Sequence, residues 1–165
     1  MAGTPRLSLP FLAVGQAQKE FTHNESLQTL DVLVSGSVEE PPRATPPASP
    51  ALGACYIVGD GATGAWTGKA SYLAAWTSGG WRFIAPIEGM SLYERTSGTF
   101  AMFHTGAWES GIVRGASLLI GGQQVVGDRA AAIESPTGGT VVDAEARSAI
   151  NAILDALRQH GLIGS

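Results

Sequence analysis

The sequence is poor in cysteine, in charge and in long apolar runs. Its 165 residues hold one cysteine, Cys55, which excludes an internal disulfide and any zinc site built on cysteine pairs. Charged residues make up 15% of the chain and the net charge is -4. With no basic stripe, sequence-independent nucleic-acid binding lacks its electrostatic driving force, and no nucleic-acid partner is expected. The N-terminal apolar run is broken by Pro10 and Gly15. It is too short and interrupted for a signal peptide or a membrane span, so no membrane insertion is expected and the chain should be made and folded in the cytoplasm. Apolar residues reach 44%, so the surface either relies on Gly, Ser and Thr or is covered by other subunits, and coverage is the expectation here.

Catalytic motifs are also scarce. "YIVGDGATGAWTGKAS", residues 56–71, has glycines at dinucleotide-loop spacing, but that fingerprint needs the last glycine to open a helix whose amides face a pyrophosphate. Here an aromatic, strand-like pattern follows. The phosphate-loop signature fails as well, because Thr63 stands where a glycine is needed and Ala70 where a magnesium-binding hydroxyl is needed. The glycines therefore read as a turn. There is no Gly-x-Ser-x-Gly elbow, and His23, His104 and His160 lie far apart without metal-binding partners beside them. Paired carboxylates for glycoside cleavage would have to come from Glu88, Glu94 and Glu109, whose separation in space a sequence does not give; solvated strand positions are the commoner use. The expectation is no enzyme, no cofactor and no metal.

What is present is an α+β pattern in four parts. Residues 1–38 read as an N-terminal anchoring segment and a helix. "LSLPFLAV", residues 7–14, is extended, with Pro10 at an edge. Thr22 and Glu25 stand at capping-box spacing before Leu27, Leu30, Val32, Leu33 and Val34, which predicts a helix over 22–34 ending near Gly36. Residues 39–53 hold five of the nine prolines and read as an extended surface crossing between unlike parts. Residues 54–135 form an antiparallel β body, a meander with hairpin turns at 77–80, 97–99 and 105–107.

Residues 136–165 end in a helix. Asp143 can cap its start, Glu145 and Arg158 suit its two ends, and Gly161 followed by Leu162 fits a Schellman stop. Ala146, Ile150, Ile153 and Leu157 follow three-and-four spacing, the seam of a coiled coil, and isoleucine at both seam positions favours three strands. At roughly 27 Å, from ~1.5 Å per residue, that seam is too short to hold chains together without help from the β region. Leu154 broadens the stripe, so packing across the chain's own sheet stays open. Trp66, Trp76, Trp81 and Trp108 either form sugar-stacking platforms or fill core and interface, with Trp76 and Trp81 placed as a cross-strand pair.

"PRLSLPFLAVGQAQKEFTHNESLQTLDVLV", "ACYIVGDGATGAWTG", "LAAWTSGGWRFIAPIEGMSLY" and "FHTGAW" resemble an uncharacterised domain family found in structural, spike- or fibre-type proteins of tailed phages, prophages and gene transfer agents. The tail, "GGTVVDAEARSAINAILDALRQHGLI", is similar to helices that end many phage fibre-type proteins. The resemblance implies a virion component: a head spike, a tail fibre, or a base that anchors one, working in assembly and host attachment. Its implied partners are its own copies as a homotrimer, capsid, tail or longer fibre proteins, and host surface polysaccharide. The alternative is a carbohydrate-binding module that reads host polysaccharide through exposed tryptophans. The resemblance carries no catalytic residue.

Overall fold

The computed structural model describes residues 3–12, 19–140 and 143–164. The elements run α1 (Lys19–Ser35), β1 (Ser37–Val38), β2 (Cys55–Ile57), β3 (Leu73–Thr77), β4 (Gly80–Ile84), β5 (Ser91–Glu94), β6 (Thr99–His104), β7 (Ala107–Ser110), β8 (Leu118–Ile120), β9 (Gln123–Val126) and α2 (Ala144–Gln159). The α+β pattern is therefore real, with helices near both ends and antiparallel sheets between. The chain divides into two compact units, Met1–Ile112 and Val113–Ser165. The expected boundaries at 38, 53 and 135 do not coincide with that division.

In the first unit the three expected hairpins form. Thr77 pairs with Gly80, Glu94 with Thr99 and His104 with Ala107, which closes β3–β4, β5–β6 and β6–β7. The strands do not make one continuous meander. They sort into a sheet ordered β2-β3-β4 and a sheet ordered β1-β5-β6-β7, in which β1 lies parallel to β5. Local turn chemistry sets the hairpins; the β1–β5 pairing joins residues more than fifty positions apart and has no local signal.

Strand alternation then explains the interior. Cys55 and Ile57 of β2, with Leu73 and Ala75 of β3, meet Val32, Val38, Leu92 and Ala101 in one buried cluster. Tyr56 and Val58 point to the opposite face and meet Ala54, Ala74 and Trp66 in a second. The β2-β3-β4 sheet is thus covered on both faces, which is why β2 reads as an unbroken apolar run.

The proline-rich crossing lies at the surface, with no buried residue over 39–53. It runs along β2: the amides of Glu39 and Arg43 donate to the carbonyls of Cys55 and Ile57 at 2.9 and 3.2 Å, and the amide of Gly59 returns to Arg43 at 2.8 Å. Prolines remove donors, but the residues between them still complete a ladder.

α1 is a correction to the expected helix. It begins at Lys19, so Thr22 lies inside the helix and its carbonyl accepts from the Ser26 hydroxyl instead of opening a capping box. Of the expected apolar face only Val32 is buried, while Leu30, Leu33 and Val34 are exposed. The reason is that Asp31, 1% exposed, occupies the inward position. Its Oδ1 accepts from the Thr4 hydroxyl at 2.7 Å and from the Leu7 amide, and its Oδ2 accepts from the Arg6 amide at 3.0 Å. The chain turns over residues 5–7, just where the segment expected to be extended begins, and a Gly3–Pro10 bridge closes the turn. The last two residues of that segment, Ala13 and Val14, lie outside the described residues.

In the second unit β8 and β9 form a hairpin across Gly121 and Gly122. Both glycines have positive φ, +58° and +79°, as a type I′ turn requires. α2 starts as expected, with Asp143 Oδ1 accepting from the Ala146 amide at 2.8 Å. It stops as expected too. Gly161 (φ +70°) donates to Arg158 and Leu162 to Leu157, the two bonds of a Schellman motif. No helix among the described residues is long and apolar enough to cross a membrane.

Candidate functional site

The glycine-rich loop after β2 delivers a tryptophan. Gly64, at φ +58°, starts a single 3-10 turn over Gly64–Trp66, and no longer helix opens there. The turn drops Trp66, 0% exposed, onto the outer face of β2-β3-β4. Its ring centroid lies 5.0 Å from that of Trp81 at 79° and 5.8 Å from Tyr56. Trp81 also meets Tyr56 at 6.0 Å and Trp76 at 4.9 Å, the latter across the β3–β4 ladder where the two are register partners. These edge-to-face contacts place the positive rim of one ring on the negative face of the next, which fixes Trp81 in one orientation.

The four tryptophans thus have different places. Trp66 is core and cannot be a platform for a sugar. Trp108 is half-buried against the first cluster, tilted on Phe103, with its Nε1 donating to the Ser71 carbonyl at 2.8 Å. Trp76 and Trp81 are half-buried, and Trp81 lines a groove of about 790 Å³ between α1 and the β3–β4 hairpin.

Groove walls come from both elements. Asn24, Glu25 and Gln28 of α1 face Trp81, Arg82 and Phe83 of β4. Arg82 ties the two sides together: its Nε donates to Gln28 Oε1 at 3.1 Å and its Nη2 approaches Glu25 Oε1 at 3.3 Å. Lys69, also on the lining, holds its ammonium 5.0 Å from the Tyr72 ring centroid and 5.6 Å from that of Phe83. A cleft that pairs one oriented indole with amide, carboxylate and guanidinium groups suits a neutral or weakly charged polyhydroxylated ligand, stacked on the ring and hydrogen-bonded at its rim. Sequence reasoning singled out Trp81; it passed over Gln28, Glu25 and Arg82, because nothing local says that α1 lies beside β4.

The carboxylates considered for glycoside cleavage are occupied in other ways. Glu88 Oε1 lies 2.6 Å from His104 Nδ1, and its Oε2 accepts from the Thr105 amide. Glu94, 1% exposed, accepts from Ser97 and Ser110 hydroxyls at 2.9 and 2.7 Å. Glu109 sits on β7 opposite Met102. His160 is the C-cap of α2. Among the described residues no group of three or more His, Cys, Asp or Glu side chains is placed to hold a metal ion. Cys55 is fully buried on β2, and burial pushes its thiol pKa up to about 11.

In the second unit, the expected interface positions Ala146, Ile150 and Ile153 all lie on the exposed face of α2; Ile150 is 44% and Ile153 59% exposed, and Leu157 is half-buried. Leu154 turns inward instead and is buried. Arg147 and Arg158, spaced seven before and four after Leu154, stitch on a strap, residues 129–138. Arg158 Nη2 donates to the Ile133 carbonyl at 2.6 Å, and Arg147 donates to the carbonyls of Pro136 and Gly138.

A family model described as "Protein of unknown function (DUF2793)" matches residues 23–109, just over half of the chain. The chain belongs to the DUF2793 family. The match runs from within α1 to β7 and so takes in both sheets and the groove, while the second unit lies outside it. A comparison with curated proteins finds no match.

Proposed function

We propose that this DUF2793 protein is a structural component of a virion or virion-like particle: a head or tail spike or fibre piece, or the base on which one is anchored, acting in assembly and host attachment. It functions as a homo-oligomer, with a trimer favoured, beside capsid, tail or longer fibre proteins. The observation that carries the reading is the exposed seam of α2. Ile150 and Ile153 are 44% and 59% exposed, an arrangement that strands apolar surface unless copies of the helix cover it. The mechanism is then geometric: copies bury one another's seam and hold several first units in a fixed array.

Multi-angle light scattering at micromolar concentration tests it. A mass of three chains is expected, falling to one chain for Ile150→Lys/Ile153→Lys. A wild-type mass of one chain, together with absence of the protein from purified particles, overturns the reading.

The groove favours a second reading, a carbohydrate-binding module for host surface polysaccharide. Its stacking surface is Trp81, backed by Trp76, and excludes Trp66. Gln28→Ala and Trp81→Ala should each weaken polysaccharide binding at least tenfold, the first with the fold retained. Unaltered binding by a folded Gln28→Ala protein counts against a site in this groove.

A further inference from the structure

The second unit has almost no interior of its own. Among its described residues the buried apolar side chains are Leu154 and Ile163 alone. Burying two aliphatic groups does not offset the entropy of ordering roughly fifty residues. Yet the unit carries the local devices of a well-specified structure: a Gly-Gly hairpin turn, an Asp143 cap, a Schellman stop and an arginine-stitched strap. Local order without a core points to a core completed from outside.

Most of the missing apolar surface is on the hairpin. Leu118, Leu119, Ile120, Val125 and Val126 are all 44–64% exposed. Leu118 pairs with Val126, Leu119 with Gln124 and Ile120 with Gln123, with an irregularity between Leu118 and Leu119; side chains alternate along β8, so exposed apolar groups stand on both faces of the hairpin. Among the described residues neither outer edge of the β8–β9 sheet is paired with a further strand. Edges left open in a monomer are usually guarded by lysine, proline or a short strand length. Here the strands are short, three and four residues, and the ladder is irregular between Leu118 and Leu119, but residues 116–127, "ASLLIGGQQVVG", contain no charge and no proline.

We propose that the β8–β9 hairpin is an interface between copies of this chain, so that the second unit reaches its fold only when several hairpins pack together beside the α2 seams. This rests on the self-association proposed above and adds that the hairpin, not the helix alone, carries it. A second copy fits better than an unlike partner for two reasons. Identical uncharged strands meet without repulsion and complete one another's ladders. And a segment that needs its partner in order to fold must find it at the site of synthesis, where copies are always at hand. The exposed hairpin side chains, with Ile150 and Ile153 of α2, supply the apolar surface for such an interface.

The test uses the full chain. All four tryptophans lie in the first unit, so near-ultraviolet circular dichroism reports on that unit alone, while sedimentation equilibrium reads assembly and hydrogen exchange reads amides 118–126. Leu118→Lys/Ile120→Lys should fall to the mass of one chain and lose at least 100-fold of hairpin amide protection, with the tryptophan signal unchanged. Leu118→Val/Ile120→Val should remain assembled. If the lysine variant keeps the wild-type mass and protection while Ile150→Lys/Ile153→Lys dissociates, the helix reading stands and the hairpin inference falls. If the wild-type chain is a single molecule with protected hairpin amides, both fall. Protection that appears only when other particle proteins are added overturns the choice of a second copy.

Discussion

Removing the Asp31 carboxylate should free the N-terminal turn from α1. Three donors converge on that group, the Thr4 hydroxyl and the amides of Arg6 and Leu7. Bonds to a charged acceptor contribute roughly 1.5–3 kcal/mol each, but the contributions do not add, because residues 3–12 can detach and return their donors to water. The cost of Asp31→Ala is therefore capped by the docking energy of the turn. That energy also includes Arg6, whose guanidinium bonds the Gly53 carbonyl at 2.7 Å and the Ser35 hydroxyl at 2.8 Å. About 2–4 kcal/mol is expected. Asp31→Asn should lose about half as much: an amide oxygen at the Oδ1 position still serves Thr4 and Leu7, but the NH2 group then faces the Arg6 N–H, donor against donor. Urea unfolding followed by tryptophan fluorescence measures the loss, and hydrogen exchange at Arg6 and Leu7 localises it. An Asp31→Ala protein with an unchanged midpoint and protected Arg6 and Leu7 amides would refute the argument.

Three further outcomes follow from particular contacts. The Cys55 thiol, pushed up to about 11 by burial, stays protonated in the fold while the unfolded thiol titrates near ~8.5. Its contribution is thus fully present below that value and lost as pH rises towards 11, by on the order of 3 kcal/mol; urea midpoints at pH 8 and 10 should fall less in Cys55→Ala, and equal falls would sink the claim. Gly164→Ala would put a Cβ 2.8 Å from the Ala132 nitrogen, opening the clasp in which the Gly164 amide reaches Ala130, at about 1–3 kcal/mol of local stability, read as faster exchange at residues 162–164. Arg147→Ala removes both bonds that hold the strap at Pro136 and Gly138; exchange at 137–140 should rise while the hairpin amides are unaffected, and unchanged exchange would show that the strap is held by other means.

How far the sequence carried depended on the range of each signal. The β3–β4, β5–β6 and β6–β7 hairpins and both ends of α2 were legible, because a glycine turn or a cap is decided within a few residues. The start of α1 was not, since Thr22 and Glu25 satisfy a local pattern that a helix beginning at Lys19 overrides. Nor was the burial of Asp31: in "LQTLDVLV" a carboxylate among leucines and valines reads as the wet face of a helix, and the three donors that reverse this lie 24–27 positions away. The groove shares this limit. Trp81 could be suspected from composition, but Gln28 and Arg82 become neighbours only through packing 54 positions apart.

The two units differ in how they close their interiors, and that difference orders assembly. The first unit fills two clusters from its own chain, Val32 to Ala101 in one and Ala54 to Ala74 in the other, with Trp66 locked from the loop side. Every strand pairing it needs is internal and complete once Ser110 has been made, so it can fold as a body while the rest of the chain is still being synthesised. The second unit comes last and lacks a core. On the proposed reading its ordering is therefore an association event, steep in chain concentration, whereas the first unit's is not. Dilution should then dissociate the copies and release the hairpin and α2 while the tryptophan environment stays as it was. A single cooperative transition, in which both units melt together at every concentration, would contradict this division of labour.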